Sequence, residues 1–300
     1  MFRSILTVLS GSVVAQLIAI AVLPALTRLY DAESFGRYQI YLSIMNVAIM
    51  FSAFRYEVAI LGARSGRVLD NLLKFTFRLC ILTGVAGVLV ACVVDLWIPS
   101  GASPLRDIIF IVPGAMIVAG IYQMLTFLPI RERNYGLSAR SKISQSVGFS
   151  ISALGCAVLP FFGVGHVLAD AFGRIVGSVA ILRGSGNLWR TLVSPISVAT
   201  MRLTAVRFKK YGFLTSPGAL LSALSAAVAP FAFLALFDLN VAGQYALVER
   251  FILMPVAIIA LAISQVFSAE AGFLARPVWC LTSTEAGVGE CTGGVFHEWR

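Results

Sequence analysis

Six ionisable residues stand inside otherwise apolar stretches of the chain: Arg55 with Glu57, Asp170 with Arg174, and Glu249 with Arg250. Ionisable groups at membrane depth are costly and are functional candidates by default. Arginine presents a planar fork of donors that suits the oxygens of a phosphate. Arg55, Arg174 and Arg250 are therefore candidate contacts for an anionic phosphate group. The acids Glu57, Asp170 and Glu249 are candidates for carrying a proton or a sodium ion. A structural reading stands beside the functional one. Asp170 and Arg174 are spaced i, i+4 and neutralise each other if they share one helix face. Arg55 and Glu57 are two apart, which on a continuous helix argues against a pair. Glu249 and Arg250 point about 100° apart on a helix, leaving one free to face a cavity. Covalent chemistry has little to work with. His166 is the only histidine before residue 272 and sits in a turn, and the sequence shows neither a metal-ligating cluster nor a nucleophile with its base. No catalytic residue, metal or cofactor is expected.

The elements that must position these residues follow from composition. Of 300 residues, 59% are apolar and only 12% charged, with a mean hydropathy of +0.90. Soluble proteins carry about 25% charged residues, so a soluble enzyme and a disordered chain are both excluded. Five scattered cysteines exclude a disulfide-stapled secreted domain. Uncharged apolar runs lie at 5–26, 79–94, 108–130, 147–162 and 213–237, and the six ionisable residues sit in three more, at 38–62, 167–182 and 241–267. In hydrocarbon only a helix or a closed barrel satisfies its own backbone. The runs lack the strict alternation of barrel strands. The expectation is an all-α, polytopic membrane helix bundle of about eight transmembrane helices. The first run is too long for a signal-peptide core and reads as an uncleaved helix.

Loop charge gives the orientation. With a cytosolic N-terminus, fifteen basic residues fall on the cytosolic side and three on the other. That asymmetry is the positive-inside pattern. The net charge of +9 then reports topology and contact with anionic inner-leaflet lipids. It calls for no nucleic acid.

Self-comparison adds an internal repeat. Leu29-Tyr30-Asp31 with Gly36 and Tyr38 recurs as Leu236-Phe237-Asp238 with Gly243 and Tyr245, at an offset of 207 residues. Six predicted helices lie between the copies, so both point the same way across the membrane, as in parallel-repeat transporters. The plainer alternative is that Asp and Gly suit tight turns. The expected organisation is a six-helix lobe at 1–183, a basic cytosolic linker at 184–211, the first two helices of a second lobe at 212–271, and an atypical tail at 272–300. A full second repeat would continue for roughly 110 residues more. The tail instead concentrates tryptophan, cysteine and histidine, which reads either as a shifted frame or premature ending, or as a natural cytosolic tail.

Three stretches, Thr27-Arg28-Leu29-Tyr30, Phe35-Gly36-Arg37-Tyr38 and Arg55-Tyr56-Glu57-Val58-Ala59-Ile60, resemble the first hairpin of bacterial polysaccharide biosynthesis proteins. These are the O-antigen-type flippases of the multidrug/oligosaccharidyl-lipid/polysaccharide exporter superfamily. The run from Ala242-Gly243-Gln244-Tyr245 through Glu249-Arg250, with Pro255 and Ala262-Ile263-Ser264-Gln265-Val266-Phe267, is similar to the family's eighth helix. The resemblance covers about residues 1–271. Family members have two six-helix lobes, whereas this chain shows eight predicted spans. The resemblance implies flipping of a polyprenyl-pyrophosphate-linked oligosaccharide across the inner membrane, without enzymatic chemistry. It implies the lipid-linked oligosaccharide as substrate and polysaccharide polymerase or ligase machinery as partners. The rival readings are a cation-coupled drug exporter of the same superfamily and a membrane-embedded glycan-assembly enzyme. The short outer turns speak against the enzyme.

Overall fold

Asp31 makes the first reversal of the chain. Its carboxylate accepts the Ser34 amide at 2.9 Å and so caps the helix that follows. In the computed structural model, which describes residues 2–97, 106–158 and 164–249 with scattered positions between 252 and 267, this cap joins α1 (Phe2–Leu29) to α2 (Ala32–Ser52). A 3-10 turn (Tyr56–Val58) and the short α3 (Ala59–Gly62) continue the path of α2 after a break. The remaining helices are α4 (Arg67–Trp97), α5 (Arg106–Ile109), α6 (Ile111–Arg131), α7 (Tyr135–Val158), α8 (Gly165–Gly184), α9 (Leu188–Val193) and α10 (Val198–Leu236). Residues 239–249 are again helical. No strand occurs among the described residues.

Segments of α1, α4, α6, α8 and α10 are long and apolar enough to cross a membrane. A sixth span results if α2 and the short helices after it, bent by 64°, are one broken crossing. The sequence expectation of about eight is thus met for five or six among the described residues. The predicted run 147–162 ends α7, whose six serines, Arg140 and Lys142 lower its hydropathy. The last run, 241–267, lies largely outside the described residues, as do Arg250 and the tail. The stretch expected as a basic linker is itself mostly helical: α9 occupies part of it, and α10 starts at Val198, so the basic residues 202–210 lie on the first turns of a 39-residue helix.

Packing follows the rules of helices in lipid, where small residues let backbones approach. A Cβ on Gly173 of α8 would stand 2.8 Å from the Gln145 carbonyl oxygen of α7, and one on Gly177 would stand 2.7 Å from the Tyr122 ring. Serines stitch the same interfaces. Ser141 donates to the Gly177 carbonyl at 3.1 Å, and Ser146 to the Ala15 carbonyl of α1 at 2.6 Å. The polar α7 is therefore sandwiched between α1 and α8. In contrast, α4 turns Leu82, Val85 and Leu89 outward, each more than half exposed, as suits a lipid-facing surface. One core cluster joins Ile60, Leu72, Met124, Leu125, Ile181 and Leu192. A second, around Tyr41, Met45, Ile108 and Ala119, joins α2 to α5, α6 and α8.

Candidate functional site

The break after α2 builds the first charged group. Phe54 (φ 45°) and Arg55 (φ 61°) are both left-handed, which ends the helix at Ser52 without glycine or proline. Non-glycine residues adopt this region at a cost of roughly 1–2 kcal/mol each, so packing holds the bend. The Tyr56 hydroxyl donates to the Ala205 carbonyl of α10 at 3.2 Å, tying the bend to that helix. The turn brings Arg55 Nη1 to 3.8 Å from Glu57 Oε1. The expectation that residues two apart do not pair is corrected here, because it assumed a continuous helix. Glu57 is 1% exposed. Its second oxygen and Arg55 Nε are buried without a hydrogen-bond partner among the described residues.

The second group sits on α8. Arg174 Nε lies 2.9 Å from Asp170 Oδ2, the i, i+4 pair that the spacing allowed. The same oxygen accepts the Tyr41 hydroxyl of α2 at 3.0 Å. Asp170 is thus shared by an arginine on its own helix and a fully buried tyrosine from another. Tyr41 escaped the sequence reading because an uncharged aromatic inside an apolar run gives no signal.

The third group bridges the copies of the repeat. Gln39 Nε2 of α2 donates to Glu249 Oε2 at 2.8 Å. Arg250, beside Glu249, lies outside the described residues. Arg55 and Arg174 each pair with a carboxylate of their own and stand on different elements.

Around the Gln39–Glu249 bridge the repeat becomes geometric. Asp238 Oδ1 accepts the Val241 amide at 2.9 Å, matching the Asp31–Ser34 cap with both positions shifted by 207. A Cβ on Gly36 would collide with the Leu239 carbonyl, and one on Gly243 would collide with the Ala32 carbonyl. Adding 207 to 36 and 32 gives 243 and 239, so the two contacts exchange when the copies are exchanged. Hypothetical Cβ atoms at the glycines would also lie 3.3 and 3.0 Å from each other's backbone nitrogens. Such reciprocity is the mark of a two-fold contact. Turn chemistry accounts for the aspartates but not for two glycines inside helices that touch each other.

His166, expected in a turn, is instead buried in the first turn of α8. Its ring centroid lies 4.0 Å from that of Tyr30, 4.8 Å from Phe35 and 5.4 Å from Tyr38. Arg131, the last residue of α6, is buried with its guanidinium on the carbonyls of Ile60 and Leu61. There it meets the negative end of α3. Among the described residues no group of three or more His, Cys, Asp or Glu is placed to hold a metal ion.

Comparison with protein-family models, with curated proteins and with solved structures finds no match.

Proposed function

We propose that the chain belongs to the machinery that moves a polyprenyl-pyrophosphate-linked oligosaccharide from the cytosolic to the outer leaflet of the bacterial inner membrane. The observation that carries this reading is the reciprocal contact of Gly36 with Leu239 and Gly243 with Ala32. Two parallel repeats meeting about a local two-fold are the arrangement in which halves rock against each other to expose a central path alternately. Such a path needs no covalent step, only groups that replace the hydration of an anionic head in low dielectric.

Arg55, Arg174 and Arg250 are the proposed phosphate contacts. Arg55 and Arg174 hold carboxylates in the state described. An incoming diphosphate exchanges with Glu57 or Asp170 as the arginine's partner, keeping each buried guanidinium neutralised throughout. A carboxylate released in this way is left alone in hydrocarbon and binds a proton or a sodium ion, which links the exchange to an ion gradient. Paired arginines fit an anionic substrate better than the drug-exporter reading, which calls for a carboxylate-lined aromatic cavity.

The test is complementation of a strain lacking its lipid-linked oligosaccharide flippase, with Arg55→Ala, Arg174→Ala and Arg250→Ala beside the unaltered chain. Loss of surface glycan in those variants that keep undiminished membrane abundance supports the reading. Unaltered glycan in all three rejects the arginine path. Drug resistance without glycan transport favours the exporter reading.

A further inference from the structure

A cavity of about 580 Å³ opens among α2, α4, α6 and α10 and is lined by Ile44, Phe51, Gly87, Val90, Pro113 and Phe231 among others. Its walls are almost wholly apolar. The one lining hydroxyl, that of Thr83, already donates to the Ser52 and Leu79 carbonyls at 2.8 Å. The size of the cavity is that of a ligand pocket rather than of a packing defect.

Three observations define the occupant. The first is depth. On α4 the lining runs from Thr83 to Val94. Those eleven residues rise about 16 Å, against ~15 Å for half the hydrocarbon thickness of a bilayer. The cavity is one leaflet deep. The second is the rim. Directly after Val94, Asp95 meets Arg106, with Nε 2.7 Å from Oδ1 and Nη2 3.1 Å from Oδ2. Arg106 stands one turn before Ile109, which also lines the cavity. Among the described side chains, the upper end of the apolar slot therefore carries the Arg106–Asp95 ion pair, with the Arg106 side chain 49% exposed. The third is the surrounding surface, where Leu82, Val85 and Leu89 of the same helix face outward and lipid has direct access.

We infer that this cavity is a binding site for one hydrocarbon chain of a zwitterionic glycerophospholipid in the leaflet on the Asp95 side. The phosphate of its headgroup lies against Arg106 and its ammonium against Asp95. A chain inserted here fills the gap between α4 and α10 and makes a lipid part of the packing between them. Neither paired arginine lines this cavity, although Phe54, next to Arg55, does, and the test of the site does not depend on transport.

Gly87 offers the decisive substitution. A Cβ there would sit 3.5 Å from the Pro113 Cβ, an ordinary contact, so Gly87→Leu fits the backbone and fills the cavity. Ala48→Leu fills it from the opposite wall. The full chain is reconstituted in vesicles of phosphatidylethanolamine, phosphatidylglycerol and a polyprenyl diphosphate. It is then released in mild detergent, and bound lipid is weighed by native mass spectrometry. Phosphatidylethanolamine is expected to be retained by the unaltered chain and reduced roughly tenfold in both filling variants, a change of about 1.4 kcal/mol. Arg106→Ala is expected to keep a bound lipid but to lose the preference for phosphatidylethanolamine over phosphatidylglycerol. Retention unchanged in both filling variants, no lipid on the unaltered chain, or polyprenyl diphosphate as the retained species would each overturn the assignment.

Discussion

Asp170 is the residue on which two helices depend. It receives Arg174 from one turn along α8 and the Tyr41 hydroxyl from α2. Both partners neutralise or solvate a carboxylate that is 7% exposed. Hydrogen bonds to charged groups contribute about 1.5–3 kcal/mol, so Tyr41→Phe is expected to lower stability by that amount. Arg174→Met leaves the carboxylate uncompensated and is expected to cost about 3–5 kcal/mol. Removing both charges in Asp170→Leu/Arg174→Met should restore much of that loss, because no lone charge remains buried. Thermal unfolding of these three variants beside the unaltered chain in one detergent measures the differences; a double variant as unstable as Arg174→Met would show that the pair matters for shape rather than charge. The sequence made the Asp170–Arg174 pair legible, because i, i+4 spacing on a helix fixes proximity. It concealed Tyr41 and Gln39, whose importance comes only from the elements that face them. It also misdirected the reading of Arg55 and Glu57, since nothing in Phe54-Arg55 announces a left-handed break.

At the scale of elements, the spans were legible because apolar length is a property of the chain alone, while bends and close crossings are properties of pairs of helices. The start of α2 is an element whose cause is visible in both. The Ser34 hydroxyl and amide hold the Asp31 carboxyl below its ordinary value. Folding therefore favours the ionised form. The contribution is complete above the unfolded value of about 3.9 and fades as pH falls through the lower folded value. Asp31→Ala is expected to cost ~1 kcal/mol at neutral pH. Asp31→Asn should keep most of the cap while removing its share of the acid sensitivity, which unfolding curves recorded across acid pH would reveal. The α7–α8 seam gives a sharper case. Gly173 meets the Gln145 backbone, which cannot rotate away as a side chain can. Gly173→Val is expected to destabilise by about 1–3 kcal/mol through overpacking, and by more than the same change at Gly155, where a Cβ meets no atom within 4 Å. Equal melting points for the two variants would contradict close packing at this seam.

At the scale of the molecule, the proposed rocking of two halves acts at the contact between the copies of the repeat. Gly36 and Gly243 let α2 and the helix after Asp238 touch near their capped ends, and Gln39–Glu249 clasps the same pair of helices one turn farther along α2. In the proposed transport cycle, the arrangement with both contacts made is the one closed at the Asp31 and Asp238 end. Opening that end must separate the two glycines and break the Gln39–Glu249 hydrogen bond together. A methyl at either glycine collides with a carbonyl of the other repeat, so Gly36→Ala and Gly243→Ala should each weaken the closed arrangement, and to similar extents because their contacts are reciprocal. Cysteines at Gln39 and Glu249, in a background freed of native cysteines, measure this directly. Joined by a short bifunctional thiol reagent, they should link efficiently in the otherwise unaltered chain and several-fold less in either glycine variant. The linked protein should be arrested in glycan transport and recover when the link is reduced. A ligand shifts a two-state equilibrium only through its differential affinity for the two states, so substrate that favours the open form should also slow the linking. Transport that continues with the helices joined would mean that this end does not open, and that the halves pivot elsewhere.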